Sequence, residues 1–74
     1  MKVVEFLNTV KCVPREKTLV CISEEMIILV ITNLRDYFAE NYYRRLDDRT
    51  VSIITPSMDN GSMSILISVK PENA

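Results

Sequence analysis

The thiols of Cys12 and Cys21 are the side chains best suited to nucleophilic chemistry, and neither has a visible general base beside it. The chain contains no histidine, the residue that most often titrates near neutral pH in acid–base catalysis. Both cysteines fall inside segments that we predict to be strands, where a free thiol behaves as a small buried hydrophobe. A disulfide between them would matter only in an exported protein, and Glu5 interrupts any apolar export signal. We predict two buried free thiols without a catalytic role.

Carboxylates occur in neighbouring pairs at Glu24–Glu25 and Asp47–Asp48. Adjacent residues on a helix point in different directions, so neither pair is expected to form a catalytic dyad. A zinc site would need histidines or further cysteines at ligand spacing, and phosphate-binding loops need several glycines where this chain has one, Gly61. The sequence therefore predicts no enzyme, no metal site and no cofactor.

A third segment, residues 37–45, interleaves aromatic side chains with arginines. Such a pattern can anchor a protein interface or can stack bases and hold phosphates. The alternative is structural, with Phe38 and Tyr42 in the core and Arg44 and Arg45 stabilising the end of a helix. The acids at positions 47 and 48 weaken the phosphate interpretation, so nucleic acid is not the expected partner.

The elements that would position these residues begin with two strands. Residues 2–13 alternate apolar and polar side chains, which predicts a half-buried strand, although Val3, Phe6, Leu7 and Val10 also fit helical spacing. Pro14 begins a turn because proline cannot donate into a ladder. Residues 18–22 are almost continuously apolar and predict a second strand, paired with the first as an antiparallel hairpin.

A long helix is predicted from about residue 24 to residue 46. Ser23 can accept from free backbone amides at its start, and a stripe at 3–4 spacing follows: Ile27, Ile31, Leu34, Phe38 and Tyr42. The alternative is a strand over residues 26–32, rich in β-branched side chains, followed by a helix beginning at Asn33 with Asp36 in its first turn. We prefer the long helix because Glu-Glu is a poor two-residue hairpin turn.

A β-hairpin is predicted over residues 50–69, with a three-residue loop at Asp59–Gly61 whose glycine adopts the left-handed conformation. That register sorts the side chains into an apolar face of Val51, Ile53, Ile65, Ile67 and Val69, and a polar face of Ser52, Ser64, Ser68 and Lys70. A two-residue Asn-Gly loop would mix the faces. Residues 71–74 are predicted to be a frayed tail.

Together these elements predict one α+β domain over residues 1–74, a ββαββ fold. Its four-stranded antiparallel sheet consists of two hairpins, and the helix over residues 24–46 packs on one face. The composition is 47% hydrophobic, more apolar surface than so small a fold can bury. Exposed apolar side chains are expected on the helix at Met26, Ile28 and Leu29, and on the far sheet face at Val3, Leu7 and Leu66.

These features predict a non-enzymatic protein-interaction or regulatory module that acts as a homodimer, with a further protein partner possible. The expected interface contains Met26, Ile28, Leu29, Tyr43, Arg44 and Arg45. The alternative is a nucleic-acid-binding regulator that uses Tyr43, Arg44 and Arg45 at the helix end, together with Arg49. The longest apolar run, residues 26–31, is far shorter than the ~20 residues of a membrane span. With a net charge of −1 and no export signal, the predicted location is the cytoplasm.

Overall fold

A four-stranded mixed sheet with short helices forms the structure, a computed structural model that describes residues 1–72. In chain order the elements are α1 (Val3–Leu7), a 3-10 turn (Arg15–Lys17), β1 (Thr18–Glu24), β2 (Ile27–Asn33), α2 (Leu34–Ala39), a 3-10 segment (Asn41–Leu46), β3 (Val51–Asp59) and β4 (Ser62–Val69). The strand order is β2-β1-β4-β3. Strands β1 and β4 pair in parallel at the centre, and each edge strand pairs antiparallel with its neighbour.

The predicted ββαββ fold is therefore wrong. The sheet is mixed instead of antiparallel, and the longer of the two α-helices, α2, has six residues where a helix over residues 24–46 was predicted. The two hairpins meet through their β1 and β4 strands, a pairing between segments far apart in the chain. Local periodicity cannot reveal such a pairing, because it depends on tertiary packing.

The N-terminal segment forms helix α1 where a strand was predicted. Val3 and Leu7, four residues apart on one face of the helix, are completely buried. Two of the free amides in its first turn find partners in the loop before β3: Val3 N donates to Arg49 O at 3.0 Å, and Val4 N donates to Asp47 O at 3.1 Å. These bonds satisfy donors that an isolated short helix would leave unpaired.

Residues 27–33 form strand β2, the alternative to the long helix. Its turn is Glu25–Met26, and both residues have positive φ, 47° and 73°. This is the sign pattern of a type I′ hairpin turn, here made without asparagine or glycine. Helix α2 then begins after Asn33, whose side-chain oxygen accepts from Asp36 N at 2.8 Å, a standard N-cap.

The second hairpin is present but has the two-residue loop. Asn60 and Gly61 both have positive φ, and Asp59 pairs with Ser62. The predicted three-residue loop is therefore wrong. The register shifts between Val51 and Ile53, so Val51 still pairs with Val69 while Ile54, and not Ile53, pairs with Ile67. The bulge keeps Val51 on the core face with Val69, Ile65 and Ile67, whereas Ile53 lies on the opposite face, so its predicted place on the apolar face is wrong.

The helices cover one face of the sheet only. The buried cluster contains Val20, Ile22, Val30, Ile65, Ile67 and Val69 from the strands, and Val3, Leu7, Leu34, Tyr37 and Leu46 from the helical segments. In β1 and β4 the alternate residues point away from this cluster. The opposite face, here called the open face, has no helix of residues 1–72 packed on it.

Candidate functional site

The open face presents large aliphatic side chains in an uncharged setting. The strand registers align Ile31, Cys21, Leu66 and Thr55 in one row across the sheet. The neighbouring row contains Ile28, Ser23, Ser68 and Ile53. The exposed aliphatic residues on this face are Leu19, Ile28, Ile31, Ile53 and Leu66. Serine and threonine fill most of the remaining positions, and the carboxylate of Asp59 lies at the far end beside the turn.

The apolar half of the predicted interface is placed differently from the prediction. Met26 is 98% exposed at the tip of the β1–β2 turn, Ile28 lies on the open face, and Leu29 is half-buried against the core. Val3 and Leu7 are completely buried in α1, so their predicted place on an exposed sheet face is wrong. Leu66 does lie on the exposed face.

The sequence does not predict Leu19, Ile31 and Ile53 as exposed residues of this face. Its patterns place Leu19 in a buried strand, Ile31 on a helix and Ile53 on the apolar face of the hairpin. The signal that could have identified the open face is the alternation in β4, where serines at 62, 64 and 68 share a face with Leu66. The two thiols also differ from prediction. Cys12 is exposed in a loop, whereas Cys21 is partly buried on the open face between Ile31 and Leu66.

The aromatic and basic half of the predicted interface lies on the covered side, beside α2. Tyr43 stacks on Tyr37 with ring centroids 5.4 Å apart and planes 10° apart. Arg44 lies over the Tyr37 ring at 4.9 Å, and its Nη2 donates to Tyr37 O at 2.6 Å. Its Nε lies 3.4 Å from an Asp47 carboxylate oxygen, without hydrogen-bond geometry. Arg44 is therefore held against the fold by the ring and the carbonyl of Tyr37, while its buried Nε has no hydrogen-bond partner within residues 1–72.

Tyr37 connects this cluster to the core. It is fully buried, and its hydroxyl donates to Asp47 Oδ1 at 2.7 Å. Burial raises the pKa of Tyr37 well above its ordinary value of 10, and the hydrogen bond and negative charge of Asp47 raise it further, while Arg44 lowers it. The residue therefore stays protonated and serves as a fixed hydrogen-bond donor.

Arg45 and Tyr42 are the exposed members of the segment. The guanidinium of Arg45 lies 4.5 Å from the Tyr42 ring centroid, and its Nη2 donates to the Tyr42 hydroxyl at 2.8 Å. Tyr42 is 65% exposed, so its predicted place in the core is wrong. Arg49, also considered for phosphate binding, is bound to Glu24 and lies 3.5 Å from Glu72. The nucleic-acid alternative stays a prediction, with Arg45 as its most accessible cation.

A cleft of about 400 Å³ lies between the end of β2 and the segment after α2. We call it the acidic–aromatic cleft. It is lined by Thr32, Asp36, Glu40, Tyr42 and Tyr43. The rings of Tyr42 and Tyr43 meet at 80° with centroids 5.4 Å apart, so they form two walls. The backbone amide of Asp36 donates to the Asn33 cap, and its carboxylate lies 3.6 Å from Arg35 Nε. Within residues 1–72, no ion pair involves Glu40.

Four further findings concern the described part of the chain and its likeness to known proteins. No group of three or more His, Cys, Asp or Glu side chains within residues 1–72 could hold a metal ion. The described helices are all too short to cross a membrane. The predicted tail at 71–74 is described only as far as Glu72, which pairs with Arg49, and its last two residues lie outside the described part. In comparisons with protein-family models, curated proteins and solved structures, the chain matched none.

Proposed function

We propose that the protein is a non-enzymatic protein-interaction module that acts as a homodimer, with the open face of the sheet as the contact between the two copies. The observation that carries the proposal is the set of five exposed aliphatic side chains that the strand registers align on that face. Aliphatic groups gathered in one exposed patch favour association, because contact removes them from water.

A second copy of the chain is the partner that best fits the charge of the face. In a two-fold contact the same patch meets itself, so a patch with charges of one sign opposes self-association. The rows through Cys21 and Ser23 contain no charged side chain, and the serines leave room for a second sheet to approach. Two sheets stacked face to face lie ~10 Å apart and interdigitate their side chains.

The size of the face agrees with a weak dimer. Four strands at ~4.8 Å spacing and seven to nine residues long give a flat area of about 500 Å². The side chains add to this area, and the smallest stable interfaces bury ~600 Å² on each partner. We therefore expect a dissociation constant in the micromolar range.

Sedimentation velocity at protein concentrations from about 1 to about 200 µM tests the proposal, because this range spans the micromolar dissociation constant expected for an interface of this size. The wild-type protein should change from monomer to dimer across this range, and Leu66→Lys should remain monomeric because it places a charge in the centre of the face. Met58→Lys is the matched control, since Met58 is 58% exposed and Leu66 is 54% exposed, but Met58 points to the other side of the sheet. A wild-type monomer throughout, or a Leu66→Lys dimer as strong as the wild type, would refute the proposal.

A further inference from the structure

The acidic–aromatic cleft combines two kinds of group that favour the same ligand. The faces of tyrosine rings attract cations through the ring quadrupole, and carboxylates attract them through charge. Here two rings at right angles stand beside two carboxylates in a concavity of about 400 Å³. This volume lies within the range of ~300–1,000 Å³ that is usual for small-molecule sites.

One of the two rings already binds a cation from within the chain. The guanidinium of Arg45, which does not line the cleft, lies 4.5 Å from the Tyr42 ring centroid. The pair is exposed, and cation–π pairs at exposed sites are worth only ~0.5–1 kcal/mol. An incoming cation can therefore share the ring or displace the guanidinium.

We propose that the acidic–aromatic cleft binds an alkylammonium group, with Tyr42 and Tyr43 against its carbon atoms and Glu40 and Asp36 beside its charge. An alkylammonium fits better than a metal ion, because its apolar carbons gain from the rings while its charge is balanced by the acids. A metal ion prefers a full shell of oxygen ligands, which the aromatic walls do not supply. Asp36 is partly neutralised by Arg35, so Glu40 is the stronger of the two carboxylates as a partner.

The source of the group is either a free amine or a lysine side chain of another protein. Two probes separate them: n-butylammonium chloride, and a blocked tripeptide with one lysine between two glycines. Binding is followed by the amide and side-chain NMR signals of the cleft residues at constant ionic strength. Equal affinity for both probes assigns the site to the free amine, and tighter binding of the peptide assigns it to a lysine side chain.

Three variants test the assigned contacts. Tyr42→Ala should weaken binding about fivefold and Glu40→Gln about threefold, in keeping with single cation–π and exposed charge contacts. Both residues are exposed, so the variants should keep the wild-type fold, which the dispersion of the NMR spectrum checks. Arg45→Met should strengthen binding severalfold, because it removes the internal cation from the Tyr42 ring.

Lys11→Met is the control for Arg45→Met. Like Arg45→Met it removes one positive charge from an exposed residue outside the cleft lining, but Lys11 does not lie over the Tyr42 ring. The proposal expects tighter binding for the arginine variant alone. Signal changes that do not saturate, that sodium chloride reproduces, or that persist unchanged in Tyr42→Ala and Glu40→Gln together would overturn it.

Discussion

At the scale of single residues, Tyr37 makes the free energy of unfolding depend on pH in the alkaline range. Its pKa is raised above 10 by burial and by Asp47, so the folded state holds the proton more tightly than the unfolded chain. The resulting stabilisation is complete below pH ~10 and is lost as the pH rises from there toward the folded-state pKa. Urea unfolding measured from pH 8 to above pH 10 should therefore show a falling free energy of unfolding at the alkaline end.

Replacing Tyr37 with phenylalanine removes both the proton and the hydrogen bond to Asp47. The variant should lose about 1 kcal/mol at pH 8, the usual net worth of one such bond, and should show a flatter alkaline limb. Tyr42→Phe changes an exposed ring and should keep the wild-type pH dependence. If the Tyr37 variant retained the wild-type alkaline slope, the raised pKa would not be the cause.

Arg49 bridges the C-terminal ends of β1 and β4. Its side chain is 10% exposed, binds Glu24 at the end of β1, and donates through Nη2 to Lys70 O at 2.9 Å just after β4. Arg49→Met would leave Glu24 and that carbonyl without this donor, and should lower the free energy of unfolding by about 1–3 kcal/mol. Arg45→Met, at an exposed position, should change it by less than about 0.5 kcal/mol. Chemical denaturation compares the two, and equal effects would contradict the role assigned to Arg49.

At the scale of elements, the strands were easier to predict than their connections. Strand β1 and the 50–69 hairpin follow from β-branched residues and from Asn60-Gly61, whose composition suits a tight turn. Strand β2 was mistaken for a helix because its turn lacks the expected residues: Glu25 and Met26 take positive φ against their own preference. Pairing with β1 and the Asn33 cap stabilise the arrangement, and both effects lie outside the turn itself.

The two hairpin turns should respond oppositely to mutation. Replacing Glu25–Met26 with Asn-Gly relieves two left-handed residues, each costing roughly 1 kcal/mol, and should raise stability by about 1–2 kcal/mol. Gly61→Ala introduces the same strain at φ 81°, where an added Cβ meets no atom within 4 Å, so its cost of ~1 kcal/mol comes from the backbone alone. Thermal and urea unfolding of both variants check the signs. A destabilised Asn-Gly variant would mean that Glu25 and Met26 are not strained.

At the scale of the whole molecule, the sequence pointed to an excess of apolar surface but not to where it lies. Residues 26–31 do carry exposed aliphatic groups, as Ile28 and Ile31 show, yet they belong to a strand face shared with Leu19 and Leu66. That face is created by the parallel pairing of β1 with β4, between residues more than 40 positions apart. The acidic–aromatic cleft likewise depends on how the end of β2 meets residues 40–43, which no spacing rule predicts.

Self-association through the open face would couple folding to concentration. A ligand that binds only the folded state stabilises it by mass action, and a partner at ~30 times its Kd adds about 2 kcal/mol. For a chain of this size 1 kcal/mol shifts Tm by about 4–8 °C. The Tm of the wild-type protein should therefore rise by several degrees between dilute and concentrated samples in differential scanning calorimetry. Leu66→Lys should have a Tm independent of concentration, whereas Met58→Lys should follow the wild type. A concentration-dependent Tm that persists in Leu66→Lys would locate the contact elsewhere on the molecule.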